Sequence, residues 1–361
     1  MIRILLSALL ICALGPSWAQ ECRVAFDLGS SGMRAAARGA GASDRVARLD
    51  LDLLAPLWAG LGLDSQFEPV ASGLQDLPRQ AGWPASCVKL GAGFSAWRLA
   101  WSQNPSSLVS MLAQLQQRTG VSVLVMPQTV EGQLAYRSAQ SALGPALKTS
   151  HVLDMGGGSL QIAGERGSFG TDLGQRSWRQ RLCQQLRGIN LCNLQPLRLA
   201  DLANARDLAG VSFEELPARA GPVISLTAIS RPITRGVLPA LRVMHGLGES
   251  KAGASTITLG ELSAAIDALA PLDVQATAHR TGAAVTFSAN LLPDMLLLEG
   301  LMRAAHLQQI EVSEVSIDNL SALLMDERAF AWTGQHGCYL ERLKASGLQA
   351  YFSDPASCPA R

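Results

Sequence analysis

Blocks of hydrophobic positions predict strands and helices that alternate along most of the chain. Residues 106–118 carry leucines and a methionine at helical spacing, between the start signal Asn104-Pro105-Ser106 and Gly120. An apolar strand is predicted at 121–126, and a helix at 131–141 follows after a short loop. This order of strand, loop and helix is typical of an α/β domain.

The second half of the chain continues the alternation. The stretch Thr258-Leu-Gly-Glu261 is a capping box at the start of a helix that Pro271 ends. Residues 73–84, with their glycine and prolines, are predicted to be a connection, and the pattern after Asp326 is uninformative. The other predicted elements are strands at 46–50, 87–90, 167–173, 222–226 and 310–315, and helices at 176–186, 197–208, 236–244 and 293–307.

Two segments share a pattern of strand, aspartate, small-residue loop and returning strand. One spans 23–38 with Asp27 at the end of its first strand, and the other spans 151–164 with Asp154 in the same place. Loops rich in glycine let successive backbone N–H groups point to one side, which suits a bound phosphate. A repeated unit indicates two related halves, and we expect both loops to face one cleft.

The N-terminus has the features of an export signal. Arg3 precedes an apolar run at 4–14, and Ser17-Trp18-Ala19 resembles a cleavage site. We therefore expect residues 1–19 to be a signal peptide and the protein to be periplasmic or secreted.

Six of the seven cysteines follow that segment, and an even number in an exported chain favours disulfides. Six cysteines allow 15 pairings, and the sequence does not choose among them. We expect three bonds, two of them local. The spacings contain no C-x-x-C pair and the five histidines are scattered, so a zinc site is not expected. The expected pairs are Cys22–Cys87, Cys183–Cys192 and Cys338–Cys358.

Charge and hydropathy exclude two classes of partner. The chain has 30 Lys and Arg against 29 Asp and Glu, and this balance favours neither nucleic acid nor an anionic membrane. The apolar stretch at 291–302 contains Asp294 and Glu299, so no membrane span is expected. The length is enough for two domains, while the oligomeric state stays open.

Four segments together resemble the exopolyphosphatase and guanosine pentaphosphate phosphatase family of the actin, sugar-kinase and heat-shock ATPase superfamily. They occur in the order of the family's motifs, over roughly residues 22–245. The last of them is similar to the family's D-I-G-G-G-S-T-E. The segments are Asp27-Leu-Gly-Ser-Ser-Gly-Met-Arg34, Phe94-Ser-Ala-Trp-Arg-Leu-Ala100, Glu131-Gly-Gln-Leu-Ala-Tyr136 and Asp154-Met-Gly-Gly-Gly-Ser-Leu-Gln161.

The resemblance implies an α/β fold of two actin-like (ribonuclease H-like) domains with a cleft between them. We place the first domain at 20–127 and the second at 128–325, with a late helix that packs back on the first domain. A tail at 326–361 would be pinned by its disulfide.

The resemblance also implies roles for particular residues. Asp27 and Asp154 would hold Mg²⁺ or another divalent cation, largely through waters. Glu131 would be the general base, and Gln161 would help to orient the attacking water. Phosphate would be bound by the two loops and two arginines, that is by Gly29, Ser30, Ser31, Gly32, Arg34, Arg98, Gly156, Gly157, Gly158 and Ser159.

The predicted function is a periplasmic hydrolase that releases terminal phosphate from polyphosphate or nucleotide polyphosphates. Secreted apyrases, which hydrolyse nucleoside triphosphates, are a close second resemblance because their motifs also carry Gln at the position of Gln161. The chain departs from the family at Pro127–Gly132 and at Leu226–Ser230, and Gln161 replaces a glutamate. These losses keep a third interpretation open, in which the protein binds a phosphorylated ligand without cutting it.

Overall fold

Two mixed β-sheets form the framework of the protein. The computed structural model describes residues 21–43, 45–246, 255–313, 315 and 317–359. The predicted signal peptide at 1–19 lies outside the described residues.

The first sheet has five strands in the order β3-β2-β1-β4-β5. Its first three strands form an antiparallel meander, and β4 and β5 then run parallel to β1. The strands are β1 Arg23–Leu28, β2 Gly32–Arg38, β3 Ala47–Asp50, β4 Val88–Gly93 and β5 Ser122–Val125.

The second sheet repeats this arrangement and adds one strand, in the order β10-β11-β9-β6-β7-β8. Here β6, β7 and β8 form the meander, β9 and β11 are the parallel strands, and β10 is the antiparallel addition. The strands are β6 His151–Met155, β7 Leu160–Gly164, β8 Ser168–Thr171, β9 Leu226–Ala228, β10 Ser255–Thr258 and β11 Gln309–Val312. The two sheets therefore share one strand order and one set of strand directions, as the repeated hairpins predict.

Helices connect and cover the strands. The bounds are α1 Leu54–Trp58, α2 Phe67–Ala81, α3 Ser95–Gln103, α4 Pro105–Thr119, α5 Gln128–Leu143, α6 Gln175–Arg187, α7 Leu199–Val211, α8 Leu216–Ala220, α9 Leu238–Met244, α10 Leu259–Leu269, α11 Val274–Thr281, α12 Val285–Ala304, α13 Leu320–Leu323, α14 Glu327–Ala331 and α15 His336–Ser346. A π-helical segment, Pro232–Val237, leads directly into α9.

Each sheet has its own hydrophobic core. The core of the first sheet includes side chains from residues 320–358, so the C-terminal helices pack on the strands at the start of the chain. The core of the second sheet is built from residues between Leu153 and Val312. The domain boundaries at 127 and 325 stay a prediction.

Several local signals are confirmed. Helix α4 begins where the Asn104 side chain accepts from the Ser107 amide, and it ends at Gly120 in the left-handed conformation. The capping box of Thr258 and Glu261 is present at the start of α10. The strands predicted at 121–126 and 167–173 correspond to β5 and β8.

Residues 73–84 are the clearest error among the predicted elements, because α2 covers most of them. A Cβ at Gly73 would lie 2.5 Å from the Met33 sulfur and 2.9 Å from Leu49 Cδ2. The glycine is therefore required by the close packing of α2 on β2 and β3, and it does not mark a loop. Pro78 lies inside the same helix, four residues before its C-cap Gly82. Likewise α12 runs through Pro293, where the prediction placed a helix start.

The three predicted disulfides are confirmed. They join Cys22 to Cys87, Cys183 to Cys192 and Cys338 to Cys358, with Cα–Cα distances of 4.5, 5.7 and 6.1 Å. Three disulfides in one chain are typical of proteins from oxidising compartments.

Membrane-crossing length was tested helix by helix. Taken alone, no helix of the described residues is both long and apolar enough to span a bilayer, although α11 and α12 reach that length and composition as a pair bent by 88°.

A hydroxyl at the C-terminal end tests how firmly α15 is attached to the first sheet. Tyr339 is fully buried, and its hydroxyl accepts from the Val125 amide at 2.9 Å. Tyr339→Phe leaves this buried donor without a partner, so we expect the free energy of unfolding to fall by about 1–3 kcal/mol in urea titrations. Tyr136→Phe is the control, since that hydroxyl bonds none of the described residues. Equal unfolding free energies for the two variants would contradict the attachment.

Candidate active site

The first hairpin places an aspartate and an arginine side by side. Asp27 on β1 and Arg34 on β2 are directly opposite in the antiparallel register. The turn between the strands is closed by a hydrogen bond from the Gly29 amide to the Gly32 carbonyl at 2.9 Å. A Cβ at Gly32, which has a φ of 149°, would lie 2.4 Å from the Leu49 carbonyl oxygen, so the turn needs glycine there.

The second hairpin has the same register and the same turn. Asp154 on β6 is opposite Gln161 on β7, and the Gly156 amide donates to the Ser159 carbonyl at 2.8 Å. Asp154 thus occupies the position of Asp27. The two hairpins are structural copies, with Gln161 in the place of the arginine.

Helix α6 holds the glycine loop of the second hairpin by its carbonyl groups. The amide of Gln175 donates to the Gly156 carbonyl at 2.9 Å, and the amide of Arg176 donates to the Gly157 carbonyl at 2.7 Å. The Ser177 hydroxyl donates to the Gly158 carbonyl at 3.1 Å. In a trans peptide the N–H points opposite to the carbonyl of the same unit. The following N–H groups of the loop therefore point away from α6, which leaves them available to an anion.

This arrangement depends on the residue that precedes α6. A Cβ at Gly174 would lie 2.4 Å from the Gly156 carbonyl oxygen and 2.5 Å from the Ser159 amide nitrogen. Backbone atoms cannot yield as a flexible side chain can, so only glycine allows the helix to approach the loop so closely.

The glycine loop also lies close to segments of the first sheet. A Cβ at Gly157 would lie 2.5 Å from the Ser30 hydroxyl, and one at Gly158 would lie 2.8 Å from the Ser95 hydroxyl. Nearby, both terminal nitrogens of Arg176 donate to the two carboxylate oxygens of Asp52 at 2.7 Å. This bidentate pair joins α6 to the segment that follows β3.

A cavity of about 820 Å³ lies between the two hairpins. The structure brings ten of the predicted site residues to its wall. They are Asp27, Gly29, Ser30, Ser31, Arg34, Glu131, Asp154, Gly156, Gly157 and Ser159. The remaining four, Gly32, Arg98, Gly158 and Gln161, lie behind this wall.

The two aspartates are held under electrostatic stress. Burial raises the pKa of Asp27 to about 7, against the opposing charge of Arg34. Burial also raises the pKa of Asp154 to about 7, and the negative charges of Glu131 and Asp27 add to the effect. Both carboxylates would be stabilised by a cation in the cavity.

Glu131 is anchored from behind by two side chains. Its Oε2 atom accepts from Arg98 at 2.7 Å and from the Gln161 amide at 2.9 Å. Gln161 Nε2 also donates to the Ser159 hydroxyl at 2.9 Å, and Arg98 also donates to the Met126 carbonyl at 3.1 Å. Burial raises the pKa of Glu131, against the opposing charge of Arg98. Arg98 therefore pairs with the predicted base and does not itself line the cavity.

The cavity contains charged residues that the sequence patterns did not indicate. Arg231 and Arg235 line it from the π-helical segment and the residue before it, and Asp318 lines it from the segment before α13. A basic residue on each side of Pro232 is the one signal that could have identified the pair.

The rest of the wall is largely apolar and comes from two helices. Pro239 and Val243 contribute from α9, and Phe287 and Leu291 contribute from α12. Phe287 is 69% exposed, which places it at the rim. The cavity thus joins a polar region at the hairpins to apolar walls.

One further carboxylate, Asp294 on α12, lines the cavity and is 2% exposed. Its Oδ2 atom accepts from Gln175 at 2.6 Å. Burial raises the pKa of Asp294 to about 8, against the hydrogen bond from Gln175 and the charge of Arg179. At neutral pH this group is therefore mostly protonated.

The donor set at the hairpins fits a hard divalent cation. No group of three or more His, Cys, Asp or Glu side chains within the described part of the chain is arranged to hold a metal ion. Asp27 and Asp154 provide two carboxylates whose pKa values are raised by mutual repulsion, and Mg²⁺ prefers such oxygen ligands together with water and phosphate.

Comparison with known proteins identifies the architecture. No protein-family model matches this sequence. No curated protein matches it either. The crystal structure of the Ppx/GppA phosphatase of Aquifex aeolicus, type II variant, superposes with a TM-score of 0.62 at 14% identity, covering 85% of this chain and 99% of that one. The chain has the Ppx/GppA fold. An exopolyphosphatase of Cytophaga hutchinsonii gives a TM-score of 0.57 at 14% identity, over 84% of this chain and 97% of that one.

The Ppx/GppA fold is the predicted pair of actin-like α/β domains with a cleft between them. Within it, the hairpins of Asp27 and Asp154 occupy equivalent positions in the two sheets. The predicted roles of the site residues stay predictions, since the likeness to the Ppx/GppA structures is one of fold.

The support of the glycine loop by α6 can be tested at Gly174. Gly174→Ala forces the loop and the helix apart, so we expect loss of stability of about 1–3 kcal/mol and weaker binding of pyrophosphate. Gly210→Ala in α7 is the matched control, because nothing lies within 4 Å of a Cβ there. Urea titration and calorimetric titration measure the two effects. Pyrophosphate affinity that is equal in both variants would refute the role of Gly174.

The pKa of Asp294 predicts a pH dependence of stability. The folded state keeps a proton that the unfolded chain loses above about pH 4. The contribution to stability is therefore complete below about pH 4 and is lost as the pH rises to about 8, at up to about 1.4 kcal/mol per pH unit. Asp294→Asn should remove this decline from urea titrations between pH 5 and 8, whereas Asp207→Asn, at an exposed carboxylate, should keep it. An unchanged decline in Asp294→Asn would show that the carboxyl is ionised.

Proposed function

We propose that the protein hydrolyses phosphoanhydride bonds, with inorganic polyphosphate or a nucleoside polyphosphate as the substrate. One observation carries the proposal: two equivalent aspartate hairpins and the buried Glu131 face a single cavity. The similar fold of the Ppx/GppA phosphatase and of the exopolyphosphatase supports it.

Phosphate binding would use the loops first. The N–H groups of the loop 156–159 point away from α6, and Arg34 beside Asp27 adds a fork of charged donors. A terminal phosphate held between the hairpins would then lie next to Glu131. Such positioning provides much of the catalysis in phosphoryl transfer.

Asp27 and Asp154 would hold Mg²⁺, which would offset the negative charge of the phosphates when bound. The two carboxylates are the residues best suited to this task, because each lies at the end of a central strand and faces the cavity.

Glu131 would accept the proton of the attacking water. As the water oxygen bonds to the terminal phosphorus, the bridging P–O bond breaks and the remaining chain leaves with the electron pair. The raised pKa of Glu131 suits a base that must gain a proton in this step. Gln161 and Arg98 would orient the carboxylate by their bonds to Oε2.

The apolar part of the cavity favours a nucleoside polyphosphate as the substrate. Pro239, Phe287 and Leu291 offer surfaces against which a base could pack. Inorganic polyphosphate would leave these surfaces in contact with water, which is unfavourable. Relative rates of phosphate release from ATP and from tripolyphosphate distinguish the two substrates.

A non-catalytic phosphate receptor is the second candidate. Its supporting observation is that Arg98 and Gln161 both bind the same oxygen of Glu131, which stabilises the ionised form and weakens it as a base. A receptor would bind pyrophosphate and release nothing from it.

We further propose that the protein works in the periplasm or outside the cell. The three disulfides support an oxidising compartment, and the sequence of residues 1–19 is typical of an export signal.

The decisive variant is Glu131→Gln in the oxidised protein. We expect phosphate release to fall by about 10²- to 10⁴-fold, because the amide cannot accept the proton. Glu165→Gln, at an exposed glutamate in the β7–β8 turn, is the matched control and should keep full activity. Malachite green detection of released phosphate measures both. Equal rates for the two variants would exclude Glu131 as the base, and no release by the unsubstituted protein with any divalent cation would favour the receptor.

A further inference from the structure

Three arginines from two separate parts of the chain meet at one part of the cavity wall. Arg34 lies on β2, while Arg231 and Arg235 lie at the start of the helical segment that follows β9. We refer to these three residues as the arginine cluster. Only the adjacency of the two sheets brings them together, because about 200 residues separate Arg34 from the other two.

The cluster has little compensating charge. None of the three guanidinium groups forms a hydrogen bond or an ion pair with a described residue. Burial lowers the pKa of Arg231, and the positive charges of Arg34, Arg235 and Arg48 lower it further. Asp318 is the carboxylate that opposes this repulsion, and its Oδ1 atom already accepts from the Leu320 amide.

Like charges kept together in a concave wall create a strong local potential. Low-dielectric walls concentrate the field, and a bound polyanion relieves the repulsion. Guanidinium groups match phosphate oxygens particularly well, since their paired N–H donors can bind two oxygens at once. The chemistry of the cluster therefore selects a phosphate group over a neutral ligand.

The position of the cluster relative to the hairpins defines its task. Arg34 lies opposite Asp27 in the register of the first hairpin, so one end of the cluster lies beside the reacting phosphate. Arg231 and Arg235 extend the positive wall away from that point on the second sheet's side. A chain of phosphates that starts at the glycine loops would continue onto them.

We infer that Arg231 and Arg235, next to Arg34, form a second phosphate subsite that binds the non-reacting phosphates of a ligand with three or more phosphates. The inference rests on the proposed function for the identity of the first subsite. It defines the substrate class as oligophosphates longer than pyrophosphate. The phosphate chain may be recognised as such, whether it is inorganic or belongs to a nucleotide.

The test compares ligands of different length in binding. Calorimetric titrations of pyrophosphate, tripolyphosphate and ATP are made at constant free Mg²⁺ on the full-length mature protein carrying Glu131→Gln, so that turnover does not consume the ligands. We expect tripolyphosphate to bind at least about tenfold more tightly than pyrophosphate, from charge-assisted bonds to the cluster. Adding Arg231→Gln and Arg235→Gln together should abolish this preference and leave pyrophosphate affinity within about twofold.

Two further variants separate charge at this site from other effects. Arg166→Gln with Arg181→Gln removes the same charge from exposed arginines outside the cavity and should keep the preference. Arg231→Lys with Arg235→Lys keeps the charge without the fork and should retain part of it. Unchanged binding of pyrophosphate shows in each case that the variant is folded.

The outcomes are distinct from those for hydrolysis. A preference that survives loss of both arginines, an equal loss for pyrophosphate and tripolyphosphate, or no preference at the outset would each overturn the subsite. An arginine-dependent preference for both tripolyphosphate and ATP assigns the subsite to the phosphate chain, and one for tripolyphosphate alone assigns it to inorganic chains. If this preference holds while the unsubstituted protein releases no phosphate, the hydrolase proposal fails and the subsite stands. Release of phosphate with no length preference gives the reverse.

Discussion

Confinement of charge is the constraint on which the central cavity depends. Asp27 and Asp154 are brought to one volume by two equivalent hairpins, and burial raises the pKa of each to about 7. Arg231 and Arg235 stand nearby without ion pairs to described residues. Neither set of charges neutralises the other in the free protein. A phosphate chain that carries a divalent cation has both of the missing charges in a single ligand, so the arrangement complements a metal-phosphate complex better than either component alone.

Much of the fold could be predicted because its signals are local. The cap of α4 at Asn104 and the capping box of α10 depend on residues three positions apart, so sequence alone contains them. Helix α2 was missed because the role of Gly73 is set by Met33 and Leu49, which are distant in sequence. The attachment of α15 through Tyr339 to Val125 is tertiary for the same reason. Such contacts leave no periodicity to detect.

The candidate site divides in the same way. Asp27, Asp154 and the glycine loops lie within short motifs, and the structure brings them together as their repetition predicts. Arg98 was correctly singled out as a candidate site residue, but the sequence could not reveal that it pairs with Glu131, since that contact joins α3 to α5. Arg231 and Arg235 belong to no motif. Their proximity to the hairpins follows from the pairing of β9 with β6, which only the folded sheet establishes.

The double engagement of Arg176 has a mechanical consequence. Its side chain holds Asp52 beside the first sheet, while its backbone amide holds the Gly157 carbonyl in the second. A movement that separated the two sheets would break the side-chain pair and pull on the same residue that supports the loop. Opening of the cleft and slackening of the phosphate loop are thereby geared to each other through one amino acid. Release of a bound ligand and loss of its grip would then be parts of a single motion.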